Sequence, residues 1–196
     1  MTTRLRFKKL LNEFRLLSSD LTFVLNNLKD INWEFERYYR DYCAKNDIDL
    51  LALEKKNSAK VGNIFASKSI VAKAAEKIRS KEYDHKLIYK EIARKLHPDK
   101  ISSEDPRKEE FEEAFKIANQ AMNYGNWGEL FDIADKYDID IEDYEKVNES
   151  IKKDIERVKS ELQKHKSTYG WQLFECELED CKQNVVKQFL KHLFNI

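Results

Sequence analysis

Apolar residues recur along the first part of the chain with the period of a long amphipathic helix. From residue 5 to residue 45 they alternate in steps of three and four, as a heptad repeat does. A period near 3.5 residues sustained over this length predicts one long helix that supercoils against its neighbours. The repeat comprises Phe7, Leu10, Phe14, Leu17, Leu21, Val24, Leu28, Ile31, Phe35, Tyr38 and Tyr42.

This repeat has two explanations, which the sequence leaves open. Its seam is rich in phenylalanine and tyrosine, and bulky rings fit the centre of a parallel two-stranded coil poorly. Leu11 and Leu25 lie beside the seam and widen the apolar face. We therefore favour packing in an antiparallel bundle within the chain, and a homodimeric coiled coil is the alternative.

The C-terminal part of the chain carries two further helical patterns. Residues 142–167 predict one helix, residues 171–193 predict a last one, and Ser167–Gly170 separates them. Two helices joined by a short turn form an antiparallel hairpin. We expect this hairpin to pack along the N-terminal helix as a stalk. The core positions are Tyr144, Ile151, Ile155, Val158 and Leu162 in the first helix, and Trp171, Phe174, Leu178, Cys181, Val185, Phe189 and Leu193 in the second.

A shorter helical module lies between these long helices. A stripe of Ile88, Ile92 and Leu96 predicts an amphipathic helix that ends near Leu96. A second helix is expected to begin near Asp105–Pro106, with proline at its first position, and a third is expected over residues 127–137 after the turn at 124–126. Residues 58–80 predict an additional helix, which is either the first helix of this module or a lead-in to it.

The stretch His97–Lys100 interrupts the module with the sequence His-Pro-Asp-Lys. Proline has no backbone N–H and disfavours helical dihedral angles in the residue before it. The preceding helix must therefore stop at about Leu96, and His97 and Asp99 should project from an exposed loop. Loops held between rigid elements are frequent locations of binding residues.

The residues on both sides of this loop resemble a known family, the J domain. The run Tyr89-Lys90-x-Ile92-Ala93-x-Lys95-Leu96-His97-Pro98-Asp99-Lys100 is similar to helix II and the signature loop of that family. The run Phe115-Lys116-x-Ala118-Asn119-x-Ala121-Met122 is similar to its helix III. The J domain is the module by which DnaJ-type cochaperones stimulate ATP hydrolysis by DnaK-class heat-shock chaperones.

The resemblance implies specific roles for residues in and before the loop. His97, Pro98 and Asp99 would be the activating tripeptide. The docking face of the preceding helix would carry four residues, and two lysines would extend its positive charge toward the loop, which suits an acidic protein surface. The four are Lys86, Tyr89, Lys90 and Arg94, and the two lysines are Lys95 and Lys100.

Composition narrows the remaining choices. The chain has 196 residues, of which 37% are charged and only four are glycine and two proline, so an all-α fold is expected. The formal net charge is zero, which argues against nucleic acid as the main partner. No stretch is long and apolar enough to predict a membrane span, and the basic N-terminus lacks the features of a signal peptide.

Three cysteines in the whole chain fit a reducing compartment, and we expect a cytoplasmic protein. Cys176 and Cys181 are predicted on different faces of the last helix, without the spacing of a zinc site. No phosphate-binding loop and no pairing of a nucleophile with a base is found, so neither an enzyme nor a cofactor is expected.

The sequence thus predicts three segments. Residues 1–57 form the long helix with a connector, residues 58–140 form the J-domain-like module, with its clearest pattern over 85–124, and residues 141–196 form the hairpin. The resulting hypothesis is a cochaperone that docks on a DnaK-class chaperone, while the long helices recruit a client or another partner. The alternative is a structural or adaptor protein in which the J-like module has no chaperone activity.

Overall fold

The structure is a computed structural model that describes residues 2–56, 85–102 and 104–196. These ranges contain helices and turns and no strand, so the all-α prediction is confirmed for them. The helix predicted over residues 58–80 lies outside the described residues. The helices are α1 (Thr3–Lys45), α2 (Leu50–Lys56), α3 (His85–Leu96), α4 (Lys108–Tyr124), α5 (Trp127–Lys136), α6 (Tyr144–Lys166), α7 (Tyr169–Glu175) and α8 (Glu179–Phe194), with a 3-10 turn at Pro98–Lys100.

The chain divides into two compact units. The described parts of Met1–Ser19 and Ala75–Ser160 form unit 1, and those of Asp20–Ala74 and Glu161–Ile196 form unit 2. Two of the boundaries fall inside α1 and α6, and each unit is assembled from segments that are distant in the sequence.

Unit 1 is built on the packing of α3, α4 and α5 against one another. The predicted stripe of α3 is buried at Ile88, Ile92 and Leu96, and Phe131 of α5 has no exposed surface. The first turns of α1 and α6 belong to the same unit. Their aromatic rings meet edge to face, with 5.3 Å between the centroids of Phe7 and Tyr144.

A buried carboxylate holds the start of α5. The side chain of Asp154, in α6, accepts a hydrogen bond of 2.7 Å from the N–H of Gly128 and lies 3.1 Å from the guanidinium of Arg157. The first N–H groups of a helix have no partner inside the helix, and a carboxylate satisfies them well. Burial raises the pKa of Asp154 above its ordinary value, and the hydrogen bond and the guanidinium only partly oppose that rise.

Unit 2 has an aromatic core of its own. The ring of Phe189, in α8, lies 5.0 Å from that of Phe35 and 5.2 Å from that of Tyr39. Cys43 and Leu173 are buried in the same cluster. At its edge the Tyr38 hydroxyl donates to Glu179 over 2.6 Å, and burial together with this hydrogen bond raises the pKa of Tyr38 to about 12.

The buried positions of α1 follow the period of an ordinary α-helix more closely than the predicted heptad. Five of the predicted seam positions are buried, but Tyr38 and Tyr42 are only partly buried, and Tyr39 and Cys43 take their places. The step from Phe7 to Cys43 equals about ten turns at roughly 3.6 residues per turn. A seam with the period of a supercoil drifts away from these positions over that length.

The prediction of a single last helix over residues 171–193 is wrong, because this segment belongs to two helices, α7 and α8. The chain leaves helical geometry after Glu175, and Cys176 has the extended dihedral angles φ −79° and ψ 114°. Phe174 and Leu178, predicted as core, are 48% and 74% exposed. The break brings the α-carbons of Cys176 and Cys181 to 5.6 Å, and their sulfurs form a disulfide. The prediction that these cysteines lie on different faces of one helix is therefore also wrong, and a disulfide does not fit the reducing compartment expected from the cysteine count.

Candidate functional site

The candidate site is the turn between α3 and α4. Helix α3 ends at Leu96, as the following proline predicts, and His97 has the extended dihedral angles φ −64° and ψ 131°. The chain then makes one 3-10 turn, closed by a hydrogen bond of 2.9 Å from the N–H of Lys100 to the carbonyl of His97. Proline fixes its own φ and restricts its neighbour, so this corner follows directly from the local sequence.

Within the turn, the histidine and the aspartate are coupled through the backbone. The Nδ1 atom of His97 accepts a hydrogen bond of 3.2 Å from the N–H of Asp99. In the neutral ring the proton is then on Nε2, which is left to donate to a partner. The carboxylate of Asp99 is 3.6 Å from Nδ1, and its side chain is 87% exposed.

Helix α4 supports the turn from behind. The ring of Phe115 lies 5.0 Å from the imidazole of His97 and 6.3 Å from the ring of Tyr89, with which it stacks. The hydroxyl of Tyr89 donates to the amide oxygen of Asn119, one helical turn after Phe115. The contacts fix both the imidazole and the last turns of α3 relative to α4.

Phe115 and Asn119 are thus positioning residues that the predicted site did not contain. The signal was present in the sequence, since the two lie four residues apart in the segment that resembles helix III. Residues at that spacing share one face of a helix, and this face is the one that meets α3.

The predicted basic residues differ in their exposure and in the contacts they already make within the fold. Lys86, Lys90 and Lys100 are exposed. The guanidinium of Arg94 lies 2.8 Å from the carboxylate of Glu91 and is 70% exposed. The ammonium group of Lys95 donates to the backbone carbonyl of Tyr137 instead, which joins α3 to the residue after α5.

A second set of charges joins α4 to the end of α5. The carboxylate of Glu110 lies 2.8 Å from the ammonium group of Lys136 and accepts a 3.0 Å hydrogen bond from the hydroxyl of Tyr137. The hydrogen bond with Lys136, followed by that with Tyr137, lowers the pKa of Glu110. Both contacts lie on the surface and help to hold the helices around the turn.

The start of α3 is anchored by aromatic stacking. The imidazole of His85 is buried and lies parallel to the indole of Trp127, with 3.8 Å between the ring centroids. Its Nε2 atom is 3.2 Å from the hydroxyl of Ser150 in α6. Both ends of α3 are therefore fixed by neighbours, which holds the turn and the basic residues on one rigid element.

The arrangement presents an imidazole and a carboxylate at the surface, where both can make polar contacts. The side chain of Asp99 is exposed to solvent, and the imidazole of His97 packs against the ring of Phe115. Among the described residues, no group of His, Cys, Asp and Glu is placed to bind a metal ion, and no helix is long and apolar enough to cross a membrane. Comparison with protein-family models, curated proteins and solved structures finds no match to this chain.

Proposed function

We propose that this protein is a cochaperone of the J-domain type, which binds a DnaK-class chaperone and stimulates its ATPase through the His97–Asp99 turn. The observation that carries the proposal is the turn itself. It presents an imidazole and a carboxylate outward from a rigid corner, and Phe115 supports it from behind. The helix that leads into it carries the sequence that resembles helix II of the family.

The physical sense of the site is attraction by charge followed by a short-range contact. Exposed cations on α3, such as Lys86 and Lys90, would steer the module toward an acidic surface on the chaperone. The turn would then place Nε2 of His97 and the carboxylate of Asp99 against polar groups that restrain hydrolysis. In this role the two residues bind and shift a conformational equilibrium of the partner.

The test is the rate of ATP hydrolysis by a purified DnaK-class chaperone in a single turnover, with and without this protein. His97→Gln should abolish the stimulation because glutamine cannot reproduce the imidazole held against Phe115. His165→Gln, the same replacement in α6, is the matched control and should stimulate like the wild type. Equal stimulation by all three proteins, or by none of them across several chaperones, would end the proposal.

The alternative is an adaptor that binds through its long helices, with the turn serving only to connect α3 and α4. One observation favours it: α1 exposes several large apolar side chains, among them Leu16 (65%), Phe23 (52%) and Trp33 (58%). Under this alternative, purification from a cell extract recovers a helical partner and no chaperone. The same partner should then be recovered with His97→Gln and lost when Leu16 and Phe23 are replaced by serine.

A further inference from the structure

A groove lies beside α3, away from the turn. It has a volume of about 520 Å³ and runs between α3 and the segment that joins α5 to α6. Leu87 and Ile139 contribute apolar surface to its lining, and Leu87 is 48% exposed. This groove does not include His97, Pro98 or Asp99.

The wall opposite α3 presents carboxylates at every second residue. Ile139 and Ile141 are buried, whereas Asp138, Asp140 and Glu142 between and beside them are exposed. Alternation with the buried isoleucines places Asp140 and Glu142 on one side of the segment, whereas Asp138, with a φ of 49°, lies in the turn that ends α5. The segment is anchored by its isoleucines, one of which also donates its N–H to the carbonyl of Ala134 at 2.8 Å.

The cations that line the groove are already engaged. Arg94 pairs with Glu91, and Lys95 donates to the carbonyl of Tyr137. Four carboxylates line the groove against these two cations, so the net charge offered to an incoming molecule is negative; the four belong to Glu91, Asp138, Asp140 and Glu142. An apolar surface beside an acidic wall is complementary to a segment that carries both apolar and basic side chains.

We propose that this groove binds a short extended segment of a partner protein, with lysine or arginine at alternate positions and an apolar side chain between them. Alternate residues of an extended chain point to the same side, so basic side chains at alternate positions can face Asp140 and Glu142, which are also two residues apart. The apolar side chain rests on Leu87 and the basic ones face the carboxylates of Asp140 and Glu142. This site does not depend on the proposed chaperone function, since it uses none of the residues of the turn.

The probe is a fluorescein-labelled peptide with lysine at every second position, one central leucine and serine elsewhere. Two control peptides carry glutamate in place of lysine, or the same residues with the lysines grouped together. Fluorescence anisotropy with the full-length chain should show the tightest binding for the alternating lysine peptide. Equal binding of the alternating and grouped lysine peptides, binding of the glutamate peptide, or no binding at all would overturn the proposal.

Matched variants locate the site. Asp140→Asn combined with Glu142→Gln should weaken peptide binding about fivefold, as expected for two exposed charge contacts. Glu104→Gln combined with Glu109→Gln removes the same number of exposed carboxylates from unit 1 and should leave the affinity nearly unchanged. Equal losses in the two double variants would contradict the assignment, because any acidic surface would then suffice.

Two further measurements test the contact with Leu87 and the location of the bound peptide. Leu87→Ala should weaken binding, whereas Ile117→Ala, at another exposed apolar position, should not. In ¹H–¹⁵N spectra the peptide should shift the amides of residues 138–142 and spare those of residues 97–100. His97→Gln should bind the peptide like the wild type; shifts centred on the turn, or loss of binding in that variant, would overturn the proposal.

Discussion

Gly128 in α5 provides a stringent test of the packing of unit 1. A β-carbon added there would lie 2.5 Å from the Cε2 and Cζ atoms of the Phe14 ring and 2.7 Å from its Cδ2. Real β-carbons do not approach other atoms so closely, and Phe14 is only 4% exposed, so its ring has little room to move. The helix cannot easily retreat either, because the N–H of Gly128 is bonded to Asp154.

The expected effect of Gly128→Ala follows from two opposing contributions. Alanine in place of glycine stabilises a helix by up to about 1 kcal/mol. Forcing an extra carbon into a packed core destabilises the fold by up to about 3 kcal/mol. The free energy of unfolding should therefore fall by about 2 kcal/mol. Urea unfolding followed by far-UV circular dichroism measures this difference.

Two comparisons make that prediction refutable. In a Phe14→Leu background the ring is absent, so adding Gly128→Ala should cost almost nothing further, and the two changes should not be additive. Gly170→Ala in unit 2 is the control, since its β-carbon would come too close only to the end of the exposed Asn32 side chain, at 2.8 Å, and its next neighbour, Cγ2 of Ile31, is at an ordinary 3.5 Å. The packing argument fails if Gly128→Ala and Gly170→Ala have the same effect, or if the Phe14 and Gly128 changes are additive.

Three other predictions concern charge and support around the turn. Burial raises the pKa of Asp154 above its ordinary value of 3.8, so the folded state binds the carboxyl proton more tightly than the unfolded state does. The free energy of unfolding of the wild type should therefore fall, relative to that of Asp154→Asn, as the pH rises above about 4. Urea unfolding at about pH 4 and about pH 7 measures this difference, and the opposite slope would refute it. Phe115→Leu should leave the helix content intact but speed hydrogen exchange at the N–H of Asp99 about fivefold, because an aromatic contact of the His97 ring is lost. Under the proposed function, Lys90→Met should reduce stimulation of a DnaK-class ATPase at low salt more than Lys95→Met does, because Lys95 is already bonded within the fold.

The features that could be predicted from the sequence are the helix ends that a nearby proline or glycine determines. Pro98 ends α3 at Leu96 through its ring and its missing N–H, whatever surrounds it. Gly125 has a φ of 72° and ends α4, as glycine does where a left-handed residue is needed. The predicted start of α4 near Asp105–Pro106 is slightly too early. Pro106 lies in a turn in which the side chain of Asp105 accepts from the N–H of Arg107, and the helix begins at Lys108.

Contacts between distant residues could not be predicted in this way. The bond from Asp154 to the start of α5 joins positions 26 residues apart, and neither residue carries a local sign of it. The break between α7 and α8 contains neither proline nor glycine, and apolar residues keep a helical spacing across it. The sequence therefore gives no sign that Cys176 and Cys181 come together. Periodicity indicates that a helix exists, but which of two adjacent positions is buried depends on partners from elsewhere in the chain.

The basic residues of α3 show why a site is harder to predict than the element that carries it. In the sequence, Lys86, Lys90, Arg94 and Lys95 are equivalent cations on one helix. In the fold, Lys95 is used to hold the residue after α5, and Arg94 is partly neutralised by Glu91. The same packing places an acidic wall beside the helix, so cations and carboxylates occupy neighbouring surfaces of unit 1. Counting the charged residues of a helix in the sequence therefore overestimates how many of them are available to a partner. The number that remains available depends on contacts that form only in the folded chain.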